Sequence, residues 1–225
     1  MSATSKTDTT SQKNTDTEAE GRRRRDPEAT RAAILDAAEI LFLERGPGDT
    51  PTSLIARSAG VTKSLIHHHF GSKEELWAEI KRRHFEQYYE VQKQLLASSE
   101  GTVDLLHQSI VAYFRFLQQD KRSVSFMSWR FVEEDDSCLG QEDDLFELGM
   151  ERIREAQERG ELRADIEPLS MIKAFLAMTL QWFQTKGMTC GMLGDSVDIE
   201  ALEEKYLDDI LKIFFDGVRA PRDAS

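Results

Sequence analysis

Cysteine is almost missing from this chain, which has only Cys138 and Cys190 in 225 residues. Two cysteines do not make the disulfide framework that holds small secreted proteins together. A reducing compartment is therefore the simpler interpretation, with both thiols as buried structural side chains. The alternative is a redox sensor, in which mild oxidation of a thiol would change the activity of the protein.

Long apolar runs are missing too. No run reaches the roughly 18 residues that would suggest a membrane-spanning helix. The N-terminus is polar and has no apolar core, which argues against a secretory signal. We therefore expect a cytoplasmic protein with no membrane partner.

The residue patterns of common catalytic and metal sites are also absent. The chain has no Gly-rich phosphate loop, no nucleophile elbow and no metal-ligand spacing. Three consecutive histidines, His67 to His69, would project about 100° apart on a helix, whereas zinc-binding pairs stand at i and i+4. We expect no enzyme activity, no cofactor and no bound metal.

Strand-like alternation does not extend over any sizeable stretch, whereas helical spacing of apolar residues recurs throughout. The sequence therefore predicts an all-α protein. The expected helices lie at about residues 27–45, 51–59, 63–70, 73–98, 103–119, 124–133, 143–158, 168–187 and 198–218.

The most informative stretch is TPTSLIARSAGVTKSLIHHHFGSK at residues 50–73. Thr50 can cap a helix that starts at Pro51, and Gly60 can take the left-handed conformation that ends it. Thr62 can cap a second helix immediately. Two short helices this close must cross steeply, as in a helix-turn-helix, whose second helix enters the major groove of DNA.

Helix signals on both sides complete this unit. Asp26 and Pro27 are typical of a helix start, and the Gly-Pro-Gly sequence at residues 46–48 ends that helix. Ser72 and Glu75 then have the spacing of a capping box. This spacing predicts the start of a long fourth helix.

The segment IARSAGVTKSLIHHHFGSKEEL resembles the DNA-binding domain of TetR/AcrR-type bacterial transcriptional regulators. The resemblance covers about residues 28–88, with the motif near 51–70. It rests on Glu44-Arg45-Gly46, on the pair Ile55-Ala56 and Ala59-Gly60-Val61, and on Phe70 followed by Ser72-Lys73-Glu74-Glu75-Leu76. It implies a regulator that binds DNA as a dimer, usually as a repressor. One departure is that the family often has tyrosines where this chain has His67 and His69, which points to an unusual operator preference.

Positive charge is scarce overall, since the net charge is -12, but it is unevenly distributed. Residues 1–21 carry two Lys and four acidic side chains, a net of -2. Residues 22–83 carry twelve basic and nine acidic side chains (+3), and residues 84–225 carry fifteen and twenty-eight (-13). The positive segment is the one with the motif, and local charge, not total charge, decides DNA binding.

The candidate DNA-binding residues follow from a recognition helix whose Ile66 faces inward. Ser64 and His68 then lie on the opposite side, and Lys63 stands at the N-terminal end, where the helix dipole favours phosphate. With the helix starts beside it, the set is Thr50, Thr52, Ser53, Thr62, Lys63, Ser64, Leu65, His67, His68, His69 and Lys73. We expect these residues to bind a palindromic operator in double-stranded DNA.

Dimerisation is one expected task of the C-terminal region, because helix-turn-helix proteins gain specificity by binding two half-sites. The resemblance implies that the last two helices pair with those of a second subunit. The candidates are Phe175, Met178, Leu180, Trp182, Leu207, Ile210 and Phe214. For each of them, a place in the core of its own chain is the equal alternative.

Sensing is the other expected task. Seven side chains are candidates for the lining of a pocket for a small apolar or aromatic ligand: Phe114, Phe126, Met127, Trp129, Phe131, Trp182 and Phe183. Ordinary core packing is the alternative, as is a regulator without a small ligand. Such a regulator would be controlled by oxidation or by a protein partner at the acidic loop of residues 133–144.

Three parts are thus expected. Residues 1–25 should be a disordered polar arm that ends in the basic run Arg22 to Arg25, which could follow a phosphate backbone or only add non-specific attraction. Residues 26–86 should form the three-helix DNA-binding domain, and residues 87–220 the helical effector-binding and dimerisation domain.

Overall fold

The computed structural model describes residues 26–98, 101–133, 141–194 and 196–220. In these ranges the chain forms α1 (Pro27–Arg45), α2 (Thr52–Ser58), α3 (Lys63–Phe70), α4 (Lys73–Ala97), α5 (Thr102–Gln119), α6 (Lys121–Glu133), α7 (Gln141–Glu158), α8 (Pro168–Leu193) and α9 (Ile199–Val218). The all-α prediction is confirmed. The expected arm at 1–25 and most of the acidic loop lie outside the described residues.

Two predicted helix starts are confirmed atom by atom. The side chain of Asp26 caps α1 by accepting a hydrogen bond from the backbone N–H of Glu28 at 3.0 Å. At α4, the hydroxyl of Ser72 accepts from Glu75 N–H at 3.0 Å, while Ser72 N–H donates to the Glu75 carboxylate at 2.7 Å. These reciprocal bonds satisfy backbone donors that the first helical turn leaves without partners.

The end of α2 is a Schellman motif. Gly60 has φ of +64°, and Val61 N–H donates to the Ala56 carbonyl at 2.9 Å. Gly60 N–H donates to the Arg57 carbonyl at 3.3 Å. These two bonds satisfy carbonyls at the helix end and turn the chain sharply into α3. The predicted left-handed glycine is therefore confirmed.

Two predicted boundaries are wrong. Helix α8 does not end at Gly187 but continues to Leu193, and Gly194 with φ of +90° ends it. A glycine inside a helix costs only about 1 kcal/mol, which tertiary packing overrides. Helix α6 starts at Lys121, before the expected Val124, because Asp120 accepts a hydrogen bond from Arg122 N–H at 2.9 Å.

Two clusters of buried side chains lie along the molecule. The N-terminal cluster joins α1 to α4 around Ile34, Phe42, Ile66 and Trp77, and we call these four helices the head. The C-terminal cluster joins α5, α7, α8 and α9. Helix α4 runs through both, so the expected boundary at residue 86 falls inside one continuous helix. Within the described ranges, no helix has the length and apolar character needed to cross a bilayer.

Helix α6 connects the two parts through one aromatic side chain. Phe126 is 1% exposed and belongs to the cluster of the head, where its ring stacks on Trp77 at 5.1 Å. Beside it, the buried carboxylate of Glu39 on α1 accepts from Arg83 of α4 at 2.7 Å and from Arg122 of α6 at 2.6 Å. This stacked ring and this bridging carboxylate join the head to α6, as does the bond between His84 of α4 and the Ser123 hydroxyl of α6 at 2.8 Å.

Candidate DNA-binding surface

Helix α3 rests on the head through Ile66 and Phe70, which are both buried. The inward orientation expected for Ile66 is confirmed. The remaining side chains of α3 face outward or sideways: Lys63, Ser64, His67 and His68 are exposed, while Leu65 and His69 are partly buried. This division leaves a polar strip on the side of α3 that faces away from the head.

The N-terminus of α3 carries a pair of hydroxyls. Thr62 is the capping residue, but its side chain makes no capping bond to the helix. Instead, its hydroxyl bonds the hydroxyl of Ser64 at 2.9 Å. The predicted side-chain cap is therefore wrong, and the free helix N-terminus, together with exposed Lys63, can donate to an anion such as phosphate.

The C-terminus of α3 orients His67. Its Nδ1 lies 2.8 Å from the carbonyl oxygen of Gly71 and donates to it, since a carbonyl only accepts. In the neutral ring, Nε2 is then an acceptor directed away from this bond. Gly71 has φ of +76°, and an added Cβ would meet the Glu75 carboxylate at 2.2 Å. The positive φ favours glycine there, and an added Cβ would also displace the Glu75 side chain that closes the capping box. The position of His67 therefore depends on this turn.

The prediction that Thr50 caps α2 and contacts DNA is wrong. The cap position is Pro51, and Thr50 is 0% exposed. Its hydroxyl donates to the carbonyl of Gly46 at 2.7 Å and lies 3.3 Å from that of Leu41. Thr50 closes the loop after α1 from the inside.

Helix α2 supplies the flank of the surface. Ser53 is exposed and Thr52 is partly buried at its first turn. Arg57 lies one turn beyond Ser53 and is exposed as well, although the sequence reasoning did not select it. The i, i+4 spacing from Ser53 was the available signal, because it places both side chains on one face.

Lys73 begins α4 and ties it to the loop after α1. Its ammonium donates to the carbonyls of Pro47 at 2.7 Å and Gly48 at 3.2 Å. An ammonium has three N–H donors, so one remains for a phosphate. Lys73 thus supports the head and lies at its outer edge.

An ion pair keeps α1 and α4 together behind this surface. Glu79 bonds Arg82 at 2.8 Å and also Arg31, whose guanidinium lies 5.1 Å from the centre of the Phe70 ring. The bond from Arg82 lowers the pKa of Glu79 to about 2. The carboxylate therefore stays charged, and the contact persists until the pH falls to that range.

Comparisons with known proteins agree with this geometry. The family described as bacterial regulatory proteins, tetR family, matches residues 34–80, which span most of the head. The transcriptional repressor BepR of Brucella suis biovar 1 is 30% identical over 159 residues, which cover 66% of this chain and 76% of BepR. The chain belongs to the TetR family.

One further relative and one solved structure extend the match over most of this TetR-family chain. The transcriptional repressor KstR2 of Rhodococcus jostii is 25% identical over 209 residues, 85% of this chain and 92% of KstR2. The crystal structure of AibR, in complex with isovaleryl coenzyme A and operator DNA, has a TM-score of 0.62 at 19% identity. It covers 83% of this chain and 98% of AibR, and it shows a common fold.

Of the seven residues expected to line an effector pocket, five have side chains that the structure describes, and these five are not all brought together in this TetR-family chain. Phe126 is part of the head, and Trp182 stacks on Tyr206 of α9 at 4.4 Å. Phe114 and Phe183 do meet, at 4.9 Å, within the C-terminal cluster, and Met127 is partly buried. The side chains of Trp129 and Phe131 lie outside the described part of the chain. Phe126 and Trp182 therefore do not line one pocket with Phe114 and Phe183, because α6 directs Phe126 toward the head and α8 directs Trp182 toward α9. A pocket beside Phe114 and Phe183 stays a prediction.

Most of the expected dimer contacts are also internal. Six residues are buried in the core of their own chain: Phe175, Leu180, Trp182, Leu207, Ile210 and Phe214. The prediction is wrong for these side chains because α8 and α9 pack their apolar faces against each other and against α5. Met178 is only partly buried. Cys190, near the end of α8, is a partly buried free thiol, and Cys138 lies outside the described residues.

Proposed function

We propose that this TetR-family chain is a transcriptional repressor that binds a palindromic operator as a homodimer and leaves it when a small apolar ligand binds. The observation that carries the proposal is the division of α3. Ile66 and Phe70 hold the helix on the head, while Lys63, Ser64 and His68 face solvent. Such a helix can enter a major groove without changing its packing.

The known proteins support the proposal of a repressor that responds to a ligand. BepR and KstR2 are transcriptional repressors, and the structure of AibR contains both operator DNA and isovaleryl coenzyme A. By analogy, we infer that the present chain acts in the cytoplasm through binding and not through catalysis. We also infer that residues 26–86 hold the DNA and that residues 87–220 hold the ligand and the second subunit.

The surface we propose for dimerisation differs from the one expected from the sequence. The outer faces of α8 and α9 carry large apolar side chains that their own chain leaves exposed. They are Met188, Met192 and Leu193 on α8 and Ile213 on α9. The three residues of α8 lie near its end, whereas Ile213 is level with the first half of α8, where Phe214 packs on Phe175. The subunit contact we propose therefore extends along both helices.

A matched pair of variants tests this contact. Ile213 on α9 and Ile40 on α1 are 64% and 59% exposed. We expect Ile213→Glu to shift the chain from dimer to monomer in sedimentation equilibrium, because a carboxylate would be buried in the contact. Ile40→Glu should stay dimeric. A dimer of unchanged affinity in both variants would contradict the proposed surface.

The ligand-controlled part needs a separate measurement. Operator-bound protein, followed by fluorescence anisotropy, is titrated with a panel of apolar compounds. Release by at least one compound, at a concentration that does not unfold the protein, supports control by a small ligand. If the protein stays on the operator with every compound but is released by oxidation or by a partner protein, control by one of these replaces control by a small ligand.

A further inference from the structure

A groove of about 740 Å³ lies where the head meets the C-terminal helices. It is lined by α1 and α4 on one side and by α5 and the start of α6 on the other. None of the residues proposed for DNA binding, dimerisation or the effector pocket lines it. A volume of this size is typical of small-molecule sites.

The floor of the groove is aromatic and apolar. The rings of Tyr88 and Phe116 are stacked, with centroids 4.6 Å apart and planes at 23°. Val91 and Ala112 continue this surface, and Val91 is 42% exposed. A flat apolar body would therefore cover surface that now faces water.

The rim provides guanidinium groups whose partners can be replaced. Arg83 bonds Asp36 at 3.0 Å, and Arg115 bonds Glu204 at 2.6 Å. The carboxylate side chains of Asp36 and Glu204 are 66% and 49% exposed. Ion pairs so open to water contribute little, so an incoming anion can replace either carboxylate at small cost.

The carboxylates deeper in the groove are already engaged. Glu39 accepts from Arg83 at 2.7 Å and from Arg122 at 2.6 Å, and its side chain is 7% exposed. Asp120 accepts from Arg122 through Oδ2 at 2.6 and 2.9 Å and through Oδ1 at 3.1 Å. A cationic ligand would have to separate these pairs, whereas an anionic ligand finds N–H donors at the rim.

We propose that this groove binds a flat aromatic carboxylate, with its rings on the floor formed by Tyr88 and Phe116 and its carboxylate on Arg115. The site is separate from any pocket inside α5 to α9. Because its walls come from the head and from α5 and α6, occupancy would favour one arrangement of these helices. That consequence for DNA binding rests on the proposed function, whereas the binding itself does not.

The test is calorimetric titration of the full chain with three compounds that share one ring system. They are 2-naphthoate, the neutral 2-naphthol and the cationic 2-naphthylmethylamine. We expect saturable binding of one naphthoate per chain, and binding weaker by about tenfold or more for the other two. Equal binding of the amine, or no saturable binding of naphthoate, overturns the proposal.

Variants locate the bound compound. Val91→Glu adds a negative charge to the floor, and Arg115→Gln removes one guanidinium of the rim. Each should weaken naphthoate binding by about tenfold. Ile40→Glu is the matched control, because it makes the same change at an exposed apolar residue outside the groove. Unchanged binding in both groove variants, with thermal unfolding like that of the control, would place the compound elsewhere and overturn the proposal.

DNA binding is then measured with and without naphthoate. Naphthoate binding in the groove by a protein that binds no DNA sequence would leave the site standing and refute the proposed function. Specific DNA binding by a protein that does not bind naphthoate would refute the site and leave the proposed function standing.

Discussion

Lys63 is the exposed cation at the N-terminus of α3, where the helix dipole and the free backbone N–H groups also attract phosphate. We expect Lys63→Ala to weaken binding to all DNA sequences by a similar factor. The slope of log affinity against log salt concentration should fall by about 1. Titrations at several salt concentrations measure this slope. Lys212→Ala, at an exposed lysine of α9, is the control and should leave it unchanged.

We expect Thr50 to stabilise the fold and not to contact DNA. Thr50→Val keeps the shape of the side chain but removes the hydroxyl that bonds the Gly46 carbonyl. We expect the free energy of unfolding in urea to fall by about 1–3 kcal/mol, because a buried carbonyl loses its donor. Ser53→Ala, at an exposed position, should change it by about 0.5 kcal/mol or less. Equal values for both variants would contradict the buried role.

His84 makes the junction between α4 and α6 sensitive to acid. Burial lowers the pKa of His84, which bonds the hydroxyl of Ser123 at 2.8 Å. Its charged neighbours are Glu39 from α1, Arg83 from α4, and Asp120 and Arg122 from the start of α6.

The sign of the pH dependence follows from this shift. A histidine with a lowered pKa binds protons more readily when unfolded, so its contribution to stability is lost as the pH falls below about 6.5. We expect the unfolding free energy to drop between about pH 7.5 and 5.5, and to drop less in His84→Gln. Denaturant titrations at the two pH values measure the unfolding free energy of both proteins. The same drop in both proteins would contradict this role for His84.

Single positions show how far the sequence could predict the site. Ile66 and Phe70 were predictable as inward residues because helical spacing fixes them relative to the polar positions. The role of Thr50 was not, since the same residue type caps a helix or bonds a carbonyl of the preceding helix. Only the path of the loop at residues 46–50 decides between these roles.

At the scale of elements, the starts of α1 and α4 were predictable, whereas the caps expected at Thr50 and Thr62 were not. Asp26 and the capping box at Ser72 depend on neighbouring residues alone. The end of α8 was not predictable, because Gly187 and Gly194 look alike in sequence and only packing selects the second. The sequence also could not predict that Phe126 packs into the head, since one face of α6 meets the head and another meets α8.

We therefore expect the stability of the head to depend on its contact with α6. Phe126→Ala removes the ring that stacks on Trp77 and should lower the free energy of unfolding by about 3–5 kcal/mol. Hydrogen exchange should accelerate in α1 and α4. Phe183→Ala is the control, because it lies in the C-terminal cluster and should accelerate exchange in α5 and α8. Unchanged protection of α1 and α4 in Phe126→Ala would contradict the link.

At the scale of the whole molecule, charge and packing divide the chain in different ways. Residues 22–83 are net positive and the remainder is acidic, so the acidic part should not compete for DNA. The packing, however, is continuous through α4 and through the contact of Phe126 with the head. The charge division can be counted from the sequence, but the assignment of aromatic residues to the two clusters cannot, because helical spacing marks Phe114 and Phe126 alike as inward residues and only the packing of the helices separates them.

The central claim is that α3 reads a DNA sequence as part of a dimer. Selection of random duplex DNA by the purified protein at fixed salt tests it most directly, with a variant carrying both Lys63→Ala and His68→Ala as the comparison. We expect the wild-type protein to enrich a palindrome with half-sites about one helical turn apart, and the variant to fail to enrich it. Salt-sensitive binding without any enriched sequence, or the same palindrome from both proteins, would contradict the account.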